Sequence, residues 1–115
     1  MDHEDCIFCK IIRKEIPSTI KYEDDRVLAF LDIEPVAPVH MLIVPKQHVA
    51  SLAATNDLDQ DLLGYIQRIA AKMAADTPEL INGYRLVTNC GEWAGQSVLH
   101  LHYHLVGGKP LTWSF

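Results

Sequence analysis

The apolar positions of this chain switch between helical and strand spacing, and the order of the switches outlines the fold. Ile7, Phe8, Ile11 and Ile12 fall at helical spacing within residues 6–16, and Pro17-Ser18 stops that short helix. Residues 20–23 and 27–31 read as two short strands around Asp24-Asp25-Arg26, an acidic tight turn that predicts a hairpin. Pro35 and Pro38 keep residues 32–38 extended and outside any sheet interior. Residues 40–45, His-Met-Leu-Ile-Val-Pro, are too apolar for a wet face and predict a buried strand. Leu58, Leu62, Ile66, Ile69 and Met73, widened by Leu63 and Ala70, mark one face of a helix over 57–75. Asn56 stands where it can cap that helix, Asp57, Asp59 and Asp61 lie near the positive end of its dipole, and Thr77-Pro78 ends it. Gly64, inside the helix, costs up to about 1 kcal/mol relative to Ala and is a candidate for close approach to another element. Strands follow at 84–89 and 98–106, separated by a loop over 90–97 that holds Gly91 and Gly95. The order helix, strands, helix, strands predicts an α+β fold with an antiparallel sheet. A chain of 115 residues has room for one core, hence one domain over 1–115.

The last of these strands carries the chemistry. His100, His102 and His104 alternate with Leu101, Tyr103 and Leu105, so the three imidazoles share one face and the large apolar residues the other. Neighbouring imidazoles on such a face lie roughly 7 Å apart. A polar surface strand is the bland reading, but a solvated face is met as well by Lys, Glu or Thr. A neutral imidazole is a good nucleophile near pH 7 and can form a covalent nucleotidyl-histidine, dividing one hard displacement into two easier ones. The attacking nitrogen must be unprotonated, so the other must donate a hydrogen bond to a fixed acceptor. His102, flanked on both sides, is the residue whose tautomer its neighbours can set. Gly95-Gln96-Ser97, three residues before His100, offers backbone N–H groups and a hydroxyl, a phosphate cradle; alone it reads as an ordinary turn.

Cys6 and Cys9, spaced Cys-x2-Cys, form half of a tetrahedral zinc site. His48 and His100 are candidates for the other half, with His3 the weaker one. Free thiols and a redox pair are the alternatives, although the strand–helix context of a thioredoxin-like pair is absent. Four protein ligands make such a zinc structural. The histidine row itself spreads over ~14 Å, too far for one ion to meet all three rings. Cys90 reads as a free thiol, and packing is the expected role of Trp93 and Trp113.

Composition narrows the function. A net charge of −5 and a pI near 5.6 disfavour general nucleic-acid binding, though not a small anion held by backbone N–H groups. No apolar run approaches the ~20 residues of a membrane span, and the acidic N-terminus lacks a signal-peptide pattern. A cytoplasmic protein is the expectation, with three cysteines reading as ligands or thiols.

The row His100-Leu-His102-Tyr-His104-Leu-Val resembles the signature of the histidine-triad nucleotide-binding proteins. The resemblance extends through Ile7-Phe8-Cys9-Lys10-Ile11-Ile12, Glu15-Ile16-Pro17, Tyr22-Glu23-Asp24-Asp25, Ala29-Phe30-Leu31-Asp32-Ile33, Ala37-Pro38-Val39-His40, Val44-Pro45-Lys46, Gly83-Tyr84-Arg85 and Gly95-Gln96-Ser97-Val98. Gly107-Gly108 and a short tail with Trp113 are similar to the Hint branch, the purine nucleoside phosphoramidases. Ala94 departs from the glycine usual in that branch, and Leu99 from the aromatic residue usual before the triad. The resemblance implies a homodimer whose sheet continues across two subunits. It implies hydrolysis of the P–N bond of adenosine or guanosine 5′-phosphoramidates, with His102 as nucleophile, His40 supporting the triad, and His104 and Ser97 serving the phosphate or the leaving group. Asp32 would bind the ribose; Ile33, Phe8, Ile11 and Phe30 would wall the base; Asn89, Gly95 and Gln96 would line the phosphate side. Zinc would be held by Cys6, Cys9, His48 and His100. Dinucleoside polyphosphate hydrolysis on the same fold, or nucleotide binding without turnover, are the alternatives.

Overall fold

The computed structural model describes residues 4–58 and 60–113. His3, Asp59 and the end of the tail at Ser114 and Phe115 lie outside them. The elements run α1 (Ile7–Ile12), β1 (Ile20–Glu23), β2 (Val27–Leu31), β3 (Val39–Pro45), α2 (Gln60–Ala75), β4 (Tyr84–Val87) and β5 (Tyr103–Gly107), with single 3-10 turns at Leu52–Ala54, Pro78–Leu80 and Glu92–Ala94. The five strands form one antiparallel sheet in the order β1-β2-β3-β5-β4. The α+β antiparallel expectation is met.

Strand alternation divides the interior into two layers. Val27, Ala29, Met41, Ile43, Leu101, Tyr103 and Leu105 project to one side, where Leu62, Ile66, Ile69 and Met73 of α2 cover them. Leu28, Phe30, Leu42 and Val44 project to the other, under Phe8 and Ile11 of α1. That second layer is the smaller, and the histidines occupy the remainder of its face. Gly107 permits the β5–β4 end to close: a Cβ there would stand 2.5 Å from Leu80 Cδ2 and 3.1 Å from the Gly83 carbonyl.

Several boundaries differ from the sequence reading. The first helix is only six residues long, Ile7–Ile12, and Ile7 is exposed. The long helix begins at Gln60, so Asn56 lies in a preceding turn and is not its cap. Nothing among the described residues lies within 4 Å of where a Gly64 Cβ would stand, so no close approach explains that glycine. Strand β4 stops at Val87, short of Asn89, and β5 starts at Tyr103, not Val98. The alternation of buried faces nevertheless persists through 100–102, because Leu101 is buried with Tyr103 and Leu105 although it makes no ladder. Trp93 and Trp113 are exposed, contrary to the packing role expected of them.

The β1–β2 hairpin is tied to α2 through one carboxylate. Asp24 Oδ1 accepts from the backbone N–H groups of Arg26 and Val27 at 2.8 and 2.9 Å, an Asx-type turn. Its Oδ2 accepts from Tyr22 Oη at 2.7 Å and from the Tyr65 hydroxyl on α2. Burial pushes this carboxyl up, but the donors, Tyr65 first among them, outweigh it and hold the group at about 2. A carboxyl depressed below its ordinary 3.8 stabilises the fold above that pH, and the contribution is lost as pH falls toward about 2. Asp24→Asn is expected to lower unfolding free energy in urea by about 1–2 kcal/mol and to reduce the acid-dependent loss in that window. An unchanged urea midpoint together with an unchanged acid limb would contradict this role.

Candidate functional site

Two clusters share the histidine face, and His100 and His102 stand where they meet. The first begins at α1. Cys6 is the N-cap of that helix, its Sγ accepting from the Cys9 N–H at 3.3 Å, which brings both sulfurs to one end of the helix. His48, just beyond β3, has Nδ1 3.3 Å from Cys9 Sγ. His100 Nδ1 lies 3.4 Å from Cys6 Sγ and 3.6 Å from Cys9 Sγ. The four donor atoms all fall within 4.8 Å of one another.

Tetrahedral zinc, with bonds of about 2.3 Å to sulfur and 2.0–2.1 Å to nitrogen, requires sulfur–nitrogen edges of ~3.6 Å. Three of the four sulfur–nitrogen edges, at 3.3, 3.4 and 3.6 Å, come within a few tenths of an ångström of that. His100 Nε2 also donates to the Pro45 carbonyl at 2.9 Å, the outer hydrogen bond that orients a metal-ligating imidazole. The donor set and its support therefore fit a structural metal. An open cleft lined by Cys6, His48, Ala50 and Ser97 connects the cluster with solvent.

The second cluster is built on the β3–β5 register. Leu42 pairs with His104 and His40 with Val106, so His40 and His104 are diagonal neighbours on one face. The Val36 N–H donates to His40 Nδ1 at 3.1 Å, which leaves the ring proton on Nε2. That Nε2–H donates to His104 Nδ1 at 2.9 Å, with Asp32 Oδ2 3.4 Å away. His104, neutral and accepting at Nδ1, must carry its own proton on Nε2. Burial, then the neighbouring His102 and His40, push His104 down to about 4 against the pull of Asp32. Burial likewise lowers His40.

His102 lies between the clusters, its ring 5.1 Å from that of His104 and edge-on to Phe8 at 5.0 Å. Its Nδ1 donates to the backbone carbonyl of His100 at 2.7 Å. The proton is thereby assigned to Nδ1, and Nε2 keeps a lone pair. The fixed acceptor is thus a backbone carbonyl and not a neighbouring imidazole, as the side-chain pattern had suggested. The rings also converge: 5.1 Å separates two of them where strand spacing predicts about 7 Å.

The remaining predicted residues are distributed unevenly. Asp32 joins the His40–His104 pair and accepts from the Glu34 N–H at 2.8 Å. Phe8, Ile11 and Phe30 lie together in the second core layer, whereas Ile33, in the 32–38 loop, is 91% exposed. Gly95 takes a left-handed φ of 84°, which closes the loop after the 3-10 turn. The Gln96 side chain accepts from the Gly91 N–H and donates to the carbonyls of Ala50 and Val98, clamping the loop. Asn89 is half-buried and Ser97 exposed at the mouth of the cleft beside Cys6. Three contributors escaped the sequence reading. Thr88 Oγ1 donates to the His102 carbonyl at 2.8 Å, and Val36 and Pro45 act through backbone atoms. Thr88 carried a signal, a hydroxyl at the end of β4 beside the histidine segment; backbone donors and acceptors carry none.

A profile of the HIT domain matches residues 13–111. A 14 kDa zinc-binding protein of Zea mays is 47% identical over 115 residues, covering 98% of this chain and 89% of that one. A histidine triad protein from Clostridium difficile superposes with a TM-score of 0.94 at 49% identity, over 100% of both chains. A HIT family hydrolase from Clostridium thermocellum superposes with a TM-score of 0.93 at 51% identity, over 99% of each.

Two measurements check the site. Protein purified without added metal is expected to carry roughly one zinc per chain, lost in Cys6→Ser plus Cys9→Ser. Zinc retained by that double variant would reject the donor set. His104 makes the second case: its folded value of about 4 lies below its ordinary 6.5, so between those values the unfolded chain binds a proton that the folded chain refuses. Stability therefore falls as pH drops through that window and levels below it. His104→Asn should flatten that part of the profile, and an unaltered slope would refute the assignment.

Proposed function

This chain belongs to the HIT domain family, and from that premise we propose that it hydrolyses the P–N bond of adenosine or guanosine 5′-phosphoramidates. The observation that carries the reading is the His102 Nδ1–H donated to the His100 carbonyl, which leaves Nε2 with its lone pair. In this reading His102 Nε2 attacks the α-phosphorus as the P–N bond breaks. The amine leaves with a proton taken from solvent, and the Nε2–H of His104 donates a hydrogen bond to the leaving nitrogen or to a phosphate oxygen. Water then attacks the nucleotidyl-His102, releasing nucleoside monophosphate and restoring the free imidazole. His40 holds His104 in the donor tautomer. Ser97, Asn89, Gly95 and Gln96 serve the phosphate side, Asp32 the ribose hydroxyls, and Phe8, Ile11, Phe30 and Ile33 the base.

Zinc at Cys6, Cys9, His48 and His100 has a structural part in this scheme, joining α1 to the segment before β5. The reading includes one cytoplasmic domain over 1–115 and a homodimer. The unpaired edge of β4 is where the sheet would continue into a second copy. Among the described residues no helix is long and apolar enough to cross a membrane.

His102→Ala is expected to reduce turnover of an adenylyl-amine by at least about 10⁴-fold. Quenching wild-type turnover should trap the nucleotidyl group on His102. Wild-type rates in the variant, or an adduct on another residue, would refute the mechanism. Faster turnover of dinucleoside polyphosphates, or tight nucleoside monophosphate binding without turnover, would replace the substrate reading.

A further inference from the structure

His100, a member of the Cys/His cluster, is joined to His102 through its own carbonyl, and it lies outside the sheet ladder. β5 begins at Tyr103, so residues 100–102 are not held by strand pairing. Other contacts position them. Leu101 N–H donates to the Val49 carbonyl at 2.8 Å, and Thr88 Oγ1 donates to the His102 carbonyl at 2.8 Å. His100 supplies the rest: Nε2 to the Pro45 carbonyl, Nδ1 toward Cys6 and Cys9, and its own carbonyl to His102 Nδ1 at 2.7 Å. The His100 side chain is 0% exposed, so no water competes for these bonds. Val49, which holds Leu101, directly follows His48, the fourth donor of the cluster. Two of the four donors thus flank the backbone bond that positions this segment.

We infer that metal occupancy at Cys6, Cys9, His48 and His100 sets the position and tautomer of His102, with His100 as the positioning residue. Two sulfurs lie 3.4 and 3.6 Å from His100 Nδ1, and Cys9 Sγ is also 3.3 Å from His48 Nδ1. A coordinated ion replaces these sulfur contacts with bonds fixed in length and direction, and holds the His100 ring between the ion and the Pro45 carbonyl. Without the ion, the Nδ1 side of the ring keeps only sulfur contacts of 3.4 Å or more, and the ring is free to shift together with the carbonyl that His102 depends on. His102 loses its fixed acceptor, and its lone pair is shared between the two nitrogens.

The test uses the full chain loaded with zinc, stripped by a chelator, and reloaded. Long-range proton–nitrogen NMR of the imidazoles is expected to show a single Nδ1–H form of His102 in the loaded protein. Stripping should give a mixture of tautomers, reversed by reloading. The single-turnover rate of nucleotidyl transfer to His102 should fall about tenfold or more on stripping, with nucleotide affinity altered by less than about twofold. An unchanged His102 pattern in folded, metal-free protein overturns the inference, as does a chain that takes up no metal. Where stripping unfolds the chain, zinc is replaced by cadmium, whose longer bonds move His100. The His102 nitrogen shifts then change with the ion if the coupling holds; indifference to the ion overturns it. The catalytic consequence rests on the reading of His102 as nucleophile, but the NMR signature does not. A tautomer that follows the metal in a protein inactive on phosphoramidates would leave the coupling standing and remove only the substrate reading.

Discussion

The burial of Leu101, Tyr103 and Leu105 under α2 is the constraint on which the site depends. These side chains are 1%, 6% and 0% exposed, and they pack with Ile66, Met73 and the inward residues of β2 and β3. Burying three large side chains of this kind is worth about 1.5–3 kcal/mol each. A one-residue slip of the segment would exchange them for three imidazoles and place ionisable rings in an apolar layer. The register of the chemistry is therefore set from the opposite face of the sheet. The imidazoles stand together because the residues between them have no other place to go.

Given that face, the local hydrogen-bond supply differentiates the three rings. No buried side-chain nitrogen or oxygen among the described residues lacks a partner, so each buried imidazole is committed to a tautomer by its neighbours. His40 must accept from Val36 and therefore donates to His104. His104 must then donate from Nε2. His102 must donate from Nδ1 to His100 and therefore keeps a lone pair on Nε2. Two adjacent rings with similar surroundings thus present opposite polarity at the same atom, one a donor and the other an acceptor. The pair therefore sets an imidazole lone pair beside a hydrogen-bond donor, the arrangement that the proposed nucleotidyl transfer would use.

The sequence reading succeeded where side-chain period decides and failed where the backbone does. The hairpin, the buried strand after Pro38 and the α2 face were legible from apolar spacing alone. So were the Cys6, Cys9, His48 and His100 grouping, from ligand spacing joined to turn positions, and the shared face of the triad. The true start of β5 was not legible: alternation of Leu101 with its neighbours reports burial, and burial continues three residues beyond the ladder, through His100. The contacts of Val36, Pro45 and the His100 carbonyl were invisible because any residue supplies a backbone N–H or C=O. Gln96 was legible as part of a loop, but its three-way clamp on Gly91, Ala50 and Val98 required the fold. Trp93 and Trp113 were misread because size and apolarity favour packing in general, and nothing local marks an exposed exception.

The gap between the end of the ladder and the start of the triad has a physical use. Within a central strand, both backbone groups of a residue are directed sideways to the neighbouring strands, and a carbonyl so engaged is poorly placed to receive a side chain from the same strand. Residues 100–102 leave the ladder, and the His100 carbonyl becomes available to the His102 ring two positions on. The cost is that the segment loses the ladder's support and must be held by scattered backbone and side-chain contacts. Five contacts, from Val49, Pro45, Thr88, Cys6 and Cys9, supply it from three different parts of the chain. Freedom from the sheet gives His102 its acceptor, and the Cys/His cluster supplies part of the rigidity that the sheet would otherwise have provided.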